Sequence, residues 1–163
     1  GLDPISEDKY AEFAKRQFEK NGKSLHEEVV PQVYNRFYGV TAYLQRIMNV
    51  LYLNTDKGEV CTPDMIEDAI DFIINLNSEH YETLFGQMSE KQRHVFLAIA
   101  IEKRARNISS SEFVRKYHLA SPSSVVSAIR GLLDKDFITQ DNNEYYVYDY
   151  FFPIWLEKRG YIA

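Results

Sequence analysis

SSSEFVRKYHLASPSSVVSAIRGLLDKDFITQDNNEYYVY, residues 109–148, is the stretch that decides the fold. Ser109-Ser110-Ser111-Glu112 reads as a helix start, and a short helix from Glu112 to Tyr117 puts Phe113 and Val114 inward and Arg115 and Lys116 outward. Ser121-Pro122 opens a second helix, with a hydroxyl cap followed by a proline at the first helical position. It runs to about Lys135 and buries Val125, Ile129, Leu132 and Leu133 at i, i+4, i+7 and i+8. The period then changes to two through Phe137–Gln140 and Tyr145–Tyr148, on either side of the polar turn Asp141-Asn142-Asn143-Glu144.

Two short helices followed by a ribbon is the order of a winged helix-turn-helix. Upstream, Ser89–Gln92 is a capping box whose helix carries Val95, Phe96, Ile99 and Ala100 inward. That helix ends in the basic run Lys103, Arg104 and Arg106, which suits a helix C-terminus on electrostatic grounds alone. A strand at Asn107-Ile108 is expected to pair with the wing. Downstream, Asp149 caps a last helix whose Phe152, Trp155 and Leu156 close the core.

The preceding half is helical. Ser6 caps a helix with an apolar stripe at Tyr10, Phe13, Ala14 and Phe18, stopped at Asn21-Gly22. Ser24–Glu27 reads as a capping box for a helix to Tyr38, with Pro31 inside it and Gly39 at its end. Thr41 caps a third helix through Tyr43, Leu44, Ile47, Met48 and Leu51. Thr62-Pro63 starts a fourth that buries Ile66, Ala69, Ile70, Ile73 and Ile74. Its Asp64, Glu67, Asp68 and Asp71 form a row, and a solvated acidic face explains the row better than a metal or catalytic site. The expected architecture is mainly α: a small helical bundle over residues 1–88, then a winged helix-turn-helix over 89–163 with a two- to three-stranded β-wing.

Charge divides at the same place. Residues 1–88 hold 8 Lys and Arg against 15 Asp and Glu, a balance of −7, and residues 89–163 hold 11 against 9, a balance of +2. A surplus of two is thin for a nucleic-acid binder, whose affinity rests on neutralised phosphates. The third-helix face offers Ser123, Ser124, Ser127 and Arg130 to DNA, with Arg115 and Lys116 on the helix before it. Serine hydroxyls and helix-end N–H groups bond phosphate, and Arg130 suits a guanine edge. The acidic wing tip speaks against a wing in the minor groove, and a protein partner remains open beside DNA. Tyr145, Tyr146 and Tyr148 are ordinary strand residues as well as conceivable stacking groups.

Catalytic and metal motifs are missing from the sequence. It has no G-x-x-x-x-G-K-[ST] and no G-x-G-x-x-G. His26, His80, His94 and His118 are scattered without a cysteine partner, so no zinc site is expected. Cys61, the one cysteine, excludes an internal disulfide and lies before a helix start that could activate it, with no base in sight. No apolar run is long enough for a membrane, and a cytoplasmic location is expected. The first residue is Gly rather than Met, which suggests an excised piece or a processed chain.

Several segments also follow one another in a familiar order. They are Leu2–Ser6 with Tyr10–Phe13, Tyr38–Gln45, Met88–Gln92, Leu119–Val125 and Tyr148–Leu156. In that order the chain resembles the C-terminal part of bacterial and archaeal P-loop ATPases of the AAA-related archaeal ATPase group. The resemblance implies a helical lid followed by a winged helix, with a nucleotide-binding core upstream that would use ATP and Mg. It also implies that an element often written G-x-P-x-Y-L-Q approaches the base of the nucleotide, which makes Gly39, Thr41 and the following Arg46 the nucleotide-lid candidates. Thr41 stands here in place of that proline. Ala42 stands where the origin-recognition branch has an arginine that senses the γ-phosphate, and Arg46 lies one helical turn further on. Two readings follow. One is a lid and winged-helix module whose partner, DNA or protein or its own ATPase core, is controlled by nucleotide. The other is a free-standing regulator or adaptor that never meets nucleotide.

Overall fold

The computed structural model describes residues 5–163, so Leu2-Asp3-Pro4 of the resemblance lies outside the described residues. The chain forms two compact units, one ending at Asn75 and one running from Leu76 to Ala163.

In the first unit α1 (Glu7–Lys20) buries Tyr10, Ala14 and Phe18. Phe13, expected on the same stripe, is 47% exposed, and Ser6 precedes the helix without a side-chain cap bond. Gly22 takes φ +73°, and the Lys23 N–H donates to the Phe18 carbonyl, a left-handed stop that satisfies the last carbonyls of the helix. The next segment departs from expectation. Ser24-Leu25 is a strand, β1, paired in parallel with β2 (Val60-Cys61). The Ser24 N–H donates to Glu59 and the His26 N–H to Cys61, so these backbone groups serve the ladder and not a capping box.

Helix α2 therefore starts later, at Val29, and ends at Arg36. Pro31 lies in its first turn, where an N–H has no helical acceptor, and causes no kink. Tyr38 and Gly39 both adopt left-handed φ, +56° and +69°. Val40, not Thr41, is the cap residue of α3 (Thr41–Asn54), which buries Leu44, Ile47, Met48 and Leu51. A short 3-10 turn, Pro63–Met65, leads into α4 (Ile66–Leu76), whose five expected apolar residues are all buried. Asp64, Glu67 and Asp68 are exposed, and Glu67 pairs with Arg36.

The second unit begins with α5 (Ser78–Gln87). Its ties are to α9 (Phe151–Lys158) at the other end of the unit. Tyr81 lies 4.8 Å from the Phe152 ring and 5.8 Å from Trp155. The Trp155 indole N–H donates to Ser78 Oγ at 3.0 Å, and the Tyr81 hydroxyl donates to Asp149 at 2.8 Å. The expected division after residue 88 left this helix with the first half, but its aromatic face completes the core of the second. Met88-Ser89 is the link from α5 to α6 (Glu90–Glu102).

Ser89 and Gln92 cap α6 reciprocally, as their spacing requires. Ser110, not Ser109, caps α7 (Ser111–Lys116) by accepting from the Phe113 N–H. Helix α8 (Pro122–Asp134) buries Val125, Ala128, Ile129 and Leu132. It crosses α6 closely, and a methyl group on Gly131 would come within 2.4 Å of Gln92 Nε2. Strands β3 (Ile138–Asp141) and β4 (Glu144–Val147) form the antiparallel wing. Asn142 and Asn143, at φ +50° and +64°, make a two-residue turn of the hand that matches strand twist. The third strand is a single bridge at Ala105, which exchanges two 2.8 Å hydrogen bonds with Tyr145. The strand expected at Asn107-Ile108 is thus displaced to Ala105, because Asn107 turns the chain with φ +52°.

Candidate functional site

Helix α8 shows one continuous exposed stripe: Ser123, Val126, Ser127 and Arg130, at i, i+3, i+4 and i+7. The stripe exists because the opposite side of the helix is fully used by the core. Ser124, the fourth candidate on this helix, is half-buried and occupied. Its hydroxyl accepts from the Ser121 N–H at 3.1 Å, while the Ser124 N–H donates to Ser121 Oγ at 3.1 Å. Its side chain is part of the helix cap, and its place on the presented surface passes to Val126, which is 47% exposed. Apolar residues were read from the sequence only as core, which is why Val126 was missed.

Helix α7 contributes unequally. Arg115 is exposed. Lys116 Nζ lies 3.2 Å from Glu102 Oε1, and that hydrogen bond and charge hold its ammonium pKa above the usual lysine range. The basic run after α6 is also largely engaged. Arg104 lies over the Tyr146 ring at 3.5 Å and donates to the Tyr150 hydroxyl at 3.1 Å, and Arg106 faces Glu144 at 3.5 Å. Tyr146 is therefore covered by a guanidinium instead of open to a base, while Tyr148 is 57% exposed. At the wing tip Asp141 is exposed and Glu144 half-buried.

Of the lid residues, Gly39 is buried in its left-handed turn, Thr41 opens α3 half-buried, and Arg46 is exposed. Arg46 lies on the lip of a groove between α1 and α3, with Ala42, and neither Gly39 nor Thr41 lines it. Among the described residues no three His, Cys, Asp or Glu side chains are grouped to hold a metal ion. Cys61 is buried, and burial pushes its thiol pKa up despite the Thr55 hydroxyl, away from the reactive range. No helix of the described residues is long and apolar enough to cross a membrane.

Comparison with known proteins agrees with this arrangement. Residues 79–158, nearly half of the chain, match the family model of a probable winged helix domain. A search of curated proteins finds no match. Among solved structures, the Walker-type ATPase of Pyrococcus abyssi is similar in fold, with a TM-score of 0.67 at 18% identity. The similarity covers 94% of this chain and 42% of that one, so the chain spans about two fifths of the length of the protein it matches.

Proposed function

We propose, from the premise that residues 79–158 are a winged helix domain, that this chain is the lid and winged-helix module of a P-loop ATPase. In this reading the winged helix contacts DNA through the α8 stripe. The observation that carries the ATPase part is the coverage: nearly all of this chain aligns within two fifths of a Walker-type ATPase, while the sequence itself lacks a phosphate loop. Bound nucleotide would supply the reaction's energy through its γ-phosphate. This chain's part would be to close over it with the α3 side of the first unit. Reading the coding sequence before residue 1 tests that part, and a translation start there would overturn it in favour of a free-standing regulator.

The DNA part rests on Ser123, Ser127 and Arg130 standing clear on one helix face, with Arg115 beside them on the preceding helix. Duplex affinity measured against salt tests it. With few cations engaged, the log–log slope is expected to be shallow, about −2 to −4. Arg130→Glu is expected to weaken binding at least tenfold, equivalent to about 1.4 kcal/mol, through lost attraction and added repulsion. A slope of zero would sink the DNA reading. A second reading, contact with a protein, is favoured by Val126 at the middle of the stripe and by Asp141 on the wing. It predicts salt-independent binding that Val126→Asp abolishes.

A further inference from the structure

The groove between α1 and α3 shares Arg46 with the lid reading, its aromatic floor is used by neither reading, and its walls are chemically specific. It holds about 720 Å³, within the usual range for a binding cleft. Phe18 and Tyr52, edge to face at 5.3 Å, lie along it with Tyr10 and Phe13, whose centroids are 6.2 Å apart. Phe13 is the only one of the four that the burial of α1 and α3 leaves exposed. The lips are carboxamides: Gln17 on α1, Gln45 and Asn49 on α3, all exposed.

Charge along most of α1 is sorted. At 100° per residue, Lys9, Arg16 and Lys20 fall in one row beside Phe13 and Gln17, and Asp8, Glu12 and Glu19 fall beyond them, farther from the groove; Glu7, in the first turn, is the one acid of the helix at the angle of Ala14 and Phe18. Arg46 adds a cation on the other lip. A cationic border is notable in a half of the chain that carries −7 overall.

We propose that this groove binds an extended, acidic peptide segment bearing a large apolar side chain. The aromatic floor takes the apolar side chain. Each carboxamide offers both a donor and an acceptor, which matches the unpaired N–H and C=O groups of an extended backbone; a helix has already satisfied its own. The cationic border selects acidic flanks.

Calorimetric titration of the whole chain tests the proposal. The probe is a hexapeptide that alternates aspartate and glutamate with tyrosine and leucine. Two companions are the same peptide with lysine for every acid and the same peptide N-methylated along its backbone. The acidic peptide is expected to bind, and the lysine peptide and the N-methylated peptide to bind at least tenfold more weakly. Arg16→Glu with Lys20→Glu, exposed changes that leave the core untouched, should reverse the preference between acidic and lysine peptides. Phe13→Ala should weaken binding about tenfold, as loss of one exposed aromatic anchor does. Equal binding of acidic and lysine peptides, or an N-methylated peptide as tight as its parent, would overturn the proposal. So would no binding of the acidic peptide at millimolar concentration. Self-association of the chain that the peptide fails to compete away would assign the groove to a second copy instead.

Discussion

Two residues carry consequences out of proportion to their size. Lys103 sits at φ +66°, ψ −59°, and the Arg104 N–H reaches back to the Glu102 carbonyl at 2.8 Å. That is a γ-turn of positive φ, strained for any residue with a Cβ. Lys103→Gly is expected to stabilise the chain by about 1 kcal/mol in urea unfolding, the relief of strain exceeding the entropy glycine adds to the unfolded state. Tyr10 is 4% exposed, and burial pushes its phenol up to about 12 from an ordinary value near 10. A raised folded-state pKa means the stability it contributes is whole below pH 10 and lost as pH rises toward 12. The loss is on the order of 2 kcal/mol. Tyr10→Phe should leave stability at pH 8 nearly unchanged and flatten its decline between pH 10 and 12, measured by urea unfolding at each pH. An equal decline in both proteins would refute that assignment.

At the scale of elements, the crossing of α6 and α8 balances two local preferences. Gly131 costs the helix about 1 kcal/mol relative to alanine, but a methyl there meets Gln92, whose carbonyl caps α6 by accepting the Ser89 N–H. Gly131→Ala alone should change stability by less than about 0.5 kcal/mol, helix gain offsetting the disturbed cap. In a Gln92→Ala background the same change should stabilise by roughly 1 kcal/mol, and additive effects in the double-mutant cycle would contradict the contact. Most elements were legible from periodicity and caps: α4 and α6 bury the residues their spacing selects, and α8 buries Val125, Ile129 and Leu132 but leaves Leu133 half-buried. Ser24–Glu27 was not, because a capping-box pattern carries no information about a parallel partner 36 residues away (Ser24 to Val60). The α8 face was legible where polarity marks it, at Ser123, Ser127 and Arg130. It was not legible at Ser124, which local hydrogen bonds consume, nor at Lys116, which Glu102 holds.

On the scale of the molecule, the position of α5 decides where the second unit begins. The charge reversal near residue 88 follows surface composition, whereas the core follows Tyr81 and Phe85, and only the latter determines folding. A chain starting at Leu76 is expected to unfold in one cooperative transition by circular dichroism. A chain starting at Ser89 uncovers Phe152 and Trp155 and removes the Tyr81–Asp149 bond, a loss well above about 4 kcal/mol. It should lack a cooperative transition. An equally stable Ser89 chain would restore the later boundary.

The α5–α9 clamp also makes the protein its own instrument. Trp155 is the chain's one tryptophan, and it is 1% exposed, stacked on Tyr161 at 5.7 Å and bonded to Ser78. Its emission therefore reports from the core of the second unit. A red shift marks the parting of α5 from α9.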